Sequence, residues 1–256
     1  MKKIRYKSAR RIFRIGYFIA LVIMLLLAFL TYYGQYSGNF VMTVDEETYD
    51  RGIAISESKE FETYARWLTA DAVEEVRDIT LEQIIYNDFE GILTTDGSFR
   101  DSVLGGANNR KLNYLAYTFY LRNVGRYETN VGYEVVITDV TGMLAQGIRI
   151  MIIQDGYIYT DQTSITTLDD LRDGTYTLYQ YEDTEHKDYP QVLQNAKNFL
   201  SDSVVCHEQI RGLGADQTKK FTILMWLEGE DPDCTIKNID QIYGSKIKIA
   251  MNFFIE

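Results

Sequence analysis

Apolar and polar residues alternate with a period of two through much of this chain, which is the pattern of β-strands. Residues 113–122 are the clearest example, because Leu, Tyr and Phe occupy every second position there. Residues 246–255 alternate in the same way, with Lys246 and Lys248 opposite Ile249. Both segments predict long strands, and the second should have one packed and one solvent-exposed face.

Shorter runs extend this pattern along the chain. They predict strands at residues 40–44, 53–56, 64–70, 132–140, 149–153, 157–160, 175–181, 203–210 and 220–227. Short helices are expected at residues 81–85, 168–171 and 191–199. About ten strands and few helices predict a mainly β fold of two antiparallel sheets packed face to face. Residues 79–110 and 162–198 are expected to be insertions in this sandwich.

Asp155 and Gly156 lie between two of the predicted strands. Asp-Gly is frequent in type I′ turns, because both central residues of that turn need a positive φ. We therefore expect a β-hairpin in which residues 149–153 pair with residues 157–160.

One long apolar run precedes all these strands. Residues 15–44 contain no charged side chain, whereas residues 1–14 contain seven Lys or Arg and no acid. About 20 mostly apolar residues suffice for a helix to cross a bilayer, and a basic flank stays on the cytoplasmic side. The sequence therefore predicts a basic cytoplasmic tail at 1–14, a transmembrane helix at 15–35 and an extracytoplasmic domain at 38–256, with the lipid bilayer as a partner.

A cleavable secretory signal begins with the same two features, a basic region and an apolar region. Cleavage requires small residues one and three positions before the cut, and bulky Tyr or Gln disrupts each candidate between Thr31 and Gly38. Tyr32, Tyr33 and Tyr36 instead match an aromatic belt at the membrane surface. We expect the helix to remain attached as an anchor.

The net charge of −11 conceals an uneven distribution. Because the tail is strongly basic, residues 15–256 carry 19 basic and 37 acidic side chains. Such an acidic domain repels nucleic acid and anionic lipid headgroups. A solvated surface is the simpler explanation of this charge, and weak collection of cations is the alternative.

Cys206 and Cys234 are the two cysteines, and both lie after the apolar run. An extracytoplasmic location permits a disulfide between them, which would contribute about 3 kcal/mol in the chain-entropy model. The sequence leaves their pairing open, since two cysteines do not make a framework. A zinc site is disfavoured, because the chain has two scattered histidines, His186 and His207, and no metal-ligand spacing.

The acidic stretch 228–233 is the best candidate for a binding site. Its carboxylates belong to Glu228, Glu230, Asp231 and Asp233. Ca²⁺ prefers several converging oxygen ligands, so calcium is the cofactor that this stretch could hold. The stretch lacks the EF-hand spacing, and the simpler alternative is a solvent-exposed turn shaped by its proline.

Trp226 lies beside that stretch, in a strand whose two faces are both largely apolar. We expect residues 220–227 to form a central strand that is covered on both sides, with Trp226 in the core. Tyr117, Phe119 and Ile249 are expected in the core as well, from their positions in the alternating strands.

No motif for catalysis occurs in the sequence. A zinc-binding helix that began at His207 would need a second His at position 211, where the chain has Arg211. Cys206 and His207 are neighbours on a predicted strand, so their side chains point to opposite faces and cannot form a dyad. Tyr-rich stretches at residues 157–159 and 176–181 could stack against sugars, although Tyr is also simply a good strand former.

Several blocks of sequence resemble a known group of proteins. They are residues 117–125 (YTFYLRNVG), 147–156 (GIRIMIIQDG), 199–205 (FLSDSVV), 221–235 (FTILMWLEGEDPDCT) and 244–253 (GSKIKIAMNF). Over residues 113–256 they resemble the camelysin/TasA-like membrane-anchored or secreted surface proteins of Gram-positive bacteria. The resemblance implies a jelly-roll-like β-sandwich outside the membrane, and some members of that group form matrix fibres.

This chain differs from those members in two respects. Fibre-forming members and camelysin usually have a cleavable signal, and this chain lacks a cleavage site. Camelysin is described as a protease, and no residue of this chain matches a catalytic residue that could be carried over.

The leading hypothesis is a single-pass surface protein with a structural or interaction role, no catalysis, and cell-wall or other surface proteins as partners. A carbohydrate- or peptide-binding module is the alternative, and a camelysin-type hydrolase is a third hypothesis. A structural protein should show no deep polar pocket, and a binding module should show a Tyr-lined cleft. A hydrolase must bring carboxylates and a His together in a cleft.

Overall fold

The computed structural model describes residues 16–25, 40–70, 73, 78–87, 113–158, 168, 171–172, 174–182, 195–234, 242 and 244–256. The chain divides into two compact units, Met1–Ser37 and Gly38–Glu256. In the first unit, residues 16–25 form a helix, α1, in which every residue is exposed. Among the helices in these ranges, none is both long enough and apolar enough to cross a membrane. The other residues of the transmembrane helix predicted at 15–35 lie outside the described ranges.

The second unit consists mainly of strands. They are β1 (Phe40–Val44), β2 (Ile53–Ser56), β3 (Trp67–Ala70), β4 (Asp78–Ile79), β5 (Leu115–Asn123), β6 (Thr129–Val140), β7 (Ile148–Gln154), β8 (Tyr157–Ile158), β9 (Leu171–Arg172), β10 (Thr175–Gln180), β11 (Lys197–Asn198), β12 (Val204–Leu213), β13 (Thr218–Glu228) and β14 (Ile247–Ile255). The helices are α2 (Glu46–Asp50), α3 (Leu81–Asn87) and α4 (Leu144–Gly147), and a 3₁₀ turn covers Pro232–Cys234.

Two sheets form the sandwich that the alternating pattern predicts. The five-stranded sheet has the order β12-β6-β14-β1-β3, and the seven-stranded sheet has the order β11-β10-β7-β13-β5-β2 with β4 attached to β13. The prediction of purely antiparallel sheets is wrong at three pairs, because β1 with β14, β10 with β11 and β4 with β13 are parallel. No short hairpin joins the partners in these pairs, so chain connectivity does not impose antiparallel pairing on them.

Aromatic rings fill the centre of the space between the two sheets. The ring centroids of Phe119 and Phe221 lie 5.3 Å apart in a stacked arrangement. Phe253 meets Phe119 edge to face at 5.9 Å, and Tyr133 meets Phe221 edge to face at 5.6 Å. Phe119 and Phe221 come from the seven-stranded sheet and the other two from the five-stranded sheet, so these contacts join the layers.

The seven-stranded sheet is covered on its second face as well. Leu81 and Ile84 of α3 are buried in a cluster with Met151, Leu224 and Trp226. Within the sheet, β13 lies between β5 and β7. The sequence therefore predicts the central position of this strand correctly, and the helix predicted at residues 81–85 is the element that covers it.

The predicted hairpin at Asp155 and Gly156 does not form. β7 pairs with β10 and β13, whereas β8 pairs with β9. Gln154 faces Thr175 and, farther along, Tyr157 faces Arg172, so the two ladders share one register. Asp155 does have a positive φ of 54°, but its N–H bonds to the carbonyl oxygen of Lys220 at 2.9 Å. The Asp-Gly step therefore lies between β7 and β8 in one arm of a longer hairpin, and it does not form a two-residue turn.

Two predicted helices differ from the structure, although Leu168 in the first of them does lie in a 3₁₀ turn. Leu171 belongs to β9, in the helix predicted at 168–171, and Lys197–Asn198 forms β11, in the helix predicted at 191–199. β11 adds to the edge of β10, with Lys197 opposite Tyr179. This tertiary pairing overrides the local preference for a helix.

The two predicted insertions contain regular structure. The first, residues 79–110, begins with the end of β4 and with α3. The second, residues 162–198, contains β9, β10 and β11, so part of it belongs to the seven-stranded sheet.

Candidate functional site

The acidic turn that follows β13 folds inward instead of projecting into solvent. Glu228, Asp231 and Asp233 are buried, and Glu230 alone of the four candidate ligands is exposed. The expectation of a solvent-exposed turn is therefore wrong, and the reason is a charged partner in β7.

Arg149 is that partner. One of its Nη atoms donates to the carboxylate of Asp231, and both side chains are less than a tenth exposed. The other Nη donates to the main-chain oxygens of Gln146 and Ile148, each at 3.2 Å. Asp231 also accepts a 2.8 Å hydrogen bond from the main-chain N–H of Asp233. A buried charge needs this combination of an ion pair and hydrogen bonds, and the ion pair ties the turn to β7.

Glu228 has a different partner. Its carboxylate accepts a 2.9 Å hydrogen bond from the indole Nε1 of Trp226. Burial raises the pKa of Glu228 above its ordinary value, although the indole hydrogen bond acts in the opposite direction. The carboxylate satisfies the single polar atom of a ring that is otherwise packed in the core.

The turn is therefore structural in the arrangement observed. Two of its carboxylates are bonded to Arg149 and Trp226. Within the described ranges, no group of three or more His, Cys, Asp and Glu side chains is arranged to hold a metal ion. Asp231 thus joins the turn after β13 to the start of β7, whereas Glu228 satisfies the indole of its own strand.

Cys206 and Cys234 are both free thiols, so the structure does not join them. Cys206 is buried in β12, where burial raises its pKa to about 11. Cys234 lies at the end of the acidic turn, packed so closely on Gly147 that an added Cβ there would come within 2.5 Å of its Sγ. Burial raises the pKa of Cys234 to about 12. Both thiols are therefore protonated and poorly nucleophilic near neutral pH.

The Tyr-rich segment 176–181 places its three rings in different environments. Tyr179 is buried, and its hydroxyl donates a 3.1 Å hydrogen bond to Glu208, which also receives Lys197 Nζ at 2.9 Å. Burial is the main cause that raises the pKa of Tyr179. Tyr176 alone among the tyrosines of this segment has an exposed ring. These contacts join β10, β11 and β12 at one edge of the sandwich.

The four residues that the sequence assigns to the core are all buried. Tyr117, Phe119, Trp226 and Ile249 are at most 2% exposed. The first two and Ile249 lie between the sheets, whereas Trp226 lies on the far face of the seven-stranded sheet.

The outer face of the five-stranded sheet brings together residues that are far apart in the sequence. Strand register places five of them side by side, one from each strand: Trp67, Thr43, Asn252, Glu134 and His207. We call this set the transverse row. Because neighbouring strands lie about 4.8 Å apart, the row is about 19 Å long.

Hydrogen bonds fix the middle of the transverse row. Thr43 Oγ1 donates to Asn252 Oδ1 at 2.7 Å, and Asn252 Nδ2 donates to Glu134 Oε1 at 3.3 Å. At one end, His207 Nε2 lies 3.3 Å from a carboxylate oxygen of Glu256. The polar side chains of the row therefore hold one another in defined orientations on a face whose residues are half-buried or exposed.

The transverse row is bordered by apolar side chains. Register places Thr69, Val41, Ala250, Val136 and Val204 in the adjacent row, where all five are half-buried and all but Thr69 are apolar. Trp67 ends the transverse row at the sheet edge with half of its surface exposed. The outer face thus presents a polar line beside an apolar line, with an aromatic ring at one end.

Glu134 and His207 are neighbours in this row, which is the kind of pair that a hydrolase would need. They lie on an open sheet face, however, and the hydrogen-bond partner of His207 is Glu256. The arrangement is that of a surface rather than of a catalytic cleft.

An apolar pocket opens at the end of the sandwich where β13 ends and β14 begins. It contains about 450 Å³ of space, part of which is open to solvent. Its lining residues are Val73, Leu115, Leu144, Ile148, Met225, Trp226, Leu227, Ile247 and Ile249. All of these side chains are apolar or aromatic, so the lining of the pocket is mainly apolar.

The transverse row has no signature in the sequence. Thr43 and Asn252, which share a hydrogen bond, are 209 positions apart in the chain. Alternation along residues 246–255 assigns Asn252 to the same face as Lys248. The outward direction of the Asn252 side chain could therefore be inferred from the sequence. Register between distant strands is what brings the five residues together.

Comparisons of the chain with protein-family models, with curated proteins and with solved structures find no match.

Proposed function

We propose that this chain is a single-pass membrane protein with a structural or interaction role at the cell surface and no catalytic activity. In this proposal residues 1–14 lie in the cytoplasm, residues 15–35 cross the bilayer, and residues 38–256 form the extracytoplasmic domain. The partners are the bilayer and cell-wall components or other surface proteins.

Helix α1 is the observation that carries the proposal. All ten of its residues are exposed, and none is charged. A helix that is apolar on every side is stable only inside a protein core or in lipid, and a large exposed apolar surface marks an interaction site. The uncharged sequence continues beyond α1 to Val44, long enough to complete a membrane span.

The charge distribution supports the orientation. Seven basic residues precede the uncharged run, and positive charge beside a membrane helix stays in the cytoplasm. The acidic domain after the run suits a solvated exterior and disfavours nucleic acid as a partner. The resemblance to camelysin/TasA-like surface proteins supports the same location.

The domain also offers a surface for interaction. The outer face of the five-stranded sheet carries hydrogen-bonded polar side chains that are held in place yet accessible. Such prearranged groups suit binding, because little side-chain entropy is lost when a partner arrives. A carbohydrate- or peptide-binding module is therefore the second candidate function, with Trp67 rather than the tyrosines as its aromatic contact.

Protease accessibility in intact cells tests the location. Externally added protease should digest residues 38–256 while an epitope placed in the tail stays protected, and carbonate washing should leave the chain in the membrane fraction. Mass spectrometry of the extracted protein should find Met1 or Lys2 joined to the domain. A mature N-terminus between Gly34 and Asn39 would contradict the anchor.

A paired variant makes that test specific. Val22→Lys together with Leu26→Lys places two charges in the proposed span, each costing about 2.5–3.5 kcal/mol at the middle of a membrane helix. This variant should lose membrane retention. Tyr6→Lys adds a charge to the tail instead and should leave retention unchanged. If the two variants were retained in the membrane fraction to the same extent, the result would argue against a transmembrane span at residues 15–35.

A further inference from the structure

We propose that the transverse row is a binding site for a neutral oligosaccharide built of hexopyranose units. This inference deepens the surface role proposed above and rests on it. The site comprises Trp67, Thr43, Asn252, Glu134 and His207, with the apolar row beside it as a floor.

Trp67 supplies the aromatic contact. Its indole is 50% exposed at the edge of the sheet, which is unusual for so large an apolar side chain. A pyranose ring exposes C–H groups on its faces, and these pack against an aromatic ring without losing the hydrogen bonds of the hydroxyl groups at the rim. An exposed Trp beside fixed polar groups has the make-up of a binding hot spot.

The middle of the row supplies donors and acceptors for those hydroxyl groups. Asn252 uses one of its two N–H bonds on Glu134 and its carbonyl oxygen on Thr43. Among the described residues, the second N–H of Asn252 and the second carboxylate oxygen of Glu134 have no hydrogen-bond partner, so they can serve a ligand. A carboxylate next to an amide can accept from one sugar hydroxyl and donate to the next, and hydrogen bonds to charged groups are the stronger ones.

The adjacent apolar row completes the match. Val41, Ala250 and Val136 run parallel to the polar groups and are half-buried. A sugar is amphipathic in the same way, because its C–H faces alternate with its hydroxyl edges. Contact with both rows at once would bury the apolar part of the ligand and satisfy the polar part.

Charge and length select the class of ligand. The transverse row contains one carboxylate and no Lys or Arg. It therefore offers a polycation a single ion pair, and the acidic domain would attract a polycation without selecting this site. A polyanion would be repelled by a domain with 37 acidic and 19 basic side chains. A row about 19 Å long accommodates several sugar rings rather than one.

Titration calorimetry on the full-length protein in detergent micelles tests the site. The probes are cellohexaose, chitohexaose and maltohexaose, which are neutral and differ in linkage and substituents. At least one should bind, and Trp67→Ala should weaken its Kd about tenfold or more. Tyr176→Ala, which removes an exposed aromatic ring from the seven-stranded sheet, should leave the Kd unchanged.

Glu134→Gln provides a second variant that keeps the shape of the row. This variant should also weaken sugar binding, and it removes no packing. The proposal can therefore be tested even if Trp67→Ala does not fold. Thermal unfolding of each variant shows whether the fold is retained.

Four results would overturn the proposal. One is that none of the three hexasaccharides binds, and another is that binding survives both Trp67→Ala and Glu134→Gln. The third is that hexalysine binds in place of the sugars. The fourth is that light scattering shows a dimer which Trp67→Ala dissociates, since the face would then be a protein interface. The protease experiment in intact cells does not depend on these variants. It therefore tests the surface location even if no sugar binds.

Discussion

Arg149 in β7 forms an ion pair with Asp231 in the turn after β13, and both side chains are buried. The pair links a strand of the seven-stranded sheet to the acidic turn, and it explains why that turn is inside the protein. A buried charge that loses its partner is far more costly than an exposed one, so this pair gives a direct test of the arrangement.

Arg149→Met should destabilise the protein by about 3–5 kcal/mol, because it leaves the Asp231 carboxylate buried without a counter-charge. Urea unfolding followed by circular dichroism measures this change. The matched control is Arg51→Met, which breaks an ion pair with Glu47 whose side chains are 57% and 71% exposed. Exposed pairs contribute about 0–1 kcal/mol, and equal effects of the two changes would show that the turn is solvated.

Trp226→Ala should cost about 3–5 kcal/mol, because it removes a fully buried ring and leaves a cavity under α3. This is a large part of the 5–15 kcal/mol that stabilises a typical domain. Trp67→Ala is the matched control, since half of that ring is already in solvent. The denaturant midpoint of each variant measures the loss of stability. If the midpoint falls less for Trp226→Ala than for Trp67→Ala, Trp226 is not the buried tryptophan.

Glu228→Gln should increase stability at pH 7 and have little effect at pH 4. The folded protein raises the pKa of Glu228 above its ordinary value of 4.5. A carboxyl group with a raised folded pKa contributes most below its unfolded pKa, and that contribution is lost as the pH rises through the folded pKa. At pH 7 the charged group is therefore unfavourable in the folded state, and the neutral amide keeps an acceptor for the indole.

Denaturant midpoints of wild type and Glu228→Gln at several pH values check this dependence. The difference between them should shrink steadily as the pH falls towards 4. A variant that is less stable than wild type at pH 7 would show that the carboxylate is stabilised there by its partners.

Gly174→Ala should destabilise the protein by about 1–3 kcal/mol, as overpacking in a tight site does. A Cβ at Gly174 would lie 2.4 Å from the Cα of Gly156, so the backbone of the hairpin must move there. Gly214→Ala is the control, because its nearest neighbour would be the Gln217 side chain at 3.5 Å. Comparable denaturant midpoints for the two variants would mean that Gly174 does not contact Gly156.

Cys206 and Cys234 should both remain unreactive towards Ellman's reagent at pH 8 in the folded protein. Burial raises their pKa values to about 11 and 12, so the thiolate is scarce. Cys206 is also buried and Cys234 half-buried, which limits access of the reagent. Both should react after unfolding in urea without reductant. An intact mass two hydrogens below that of the fully reduced chain, or a mass that increases on reduction, would reveal a disulfide instead.

Much of the fold follows from the sequence alone. Strands β1 and β2 begin and end where alternation predicts, and the segments around Phe119, Trp226 and Ile249 are strands with the expected side chains buried. These features depend on the local period of apolar residues, which the sequence displays directly. The uncharged run at residues 15–44 and the basic tail are likewise visible without a structure.

Tertiary structure decided the rest, because it depends on which distant segments meet. Asp155 has the positive φ that its sequence favours. Its main-chain N–H nevertheless bonds to Lys220 of β13, and the predicted two-residue hairpin does not form. The acidic turn is charged and short, which locally indicates an exposed turn, but Arg149 compensates Asp231 and draws it inside. The transverse row exists only because five strands from distant parts of the chain pair in one register, and neither period nor composition encodes that pairing.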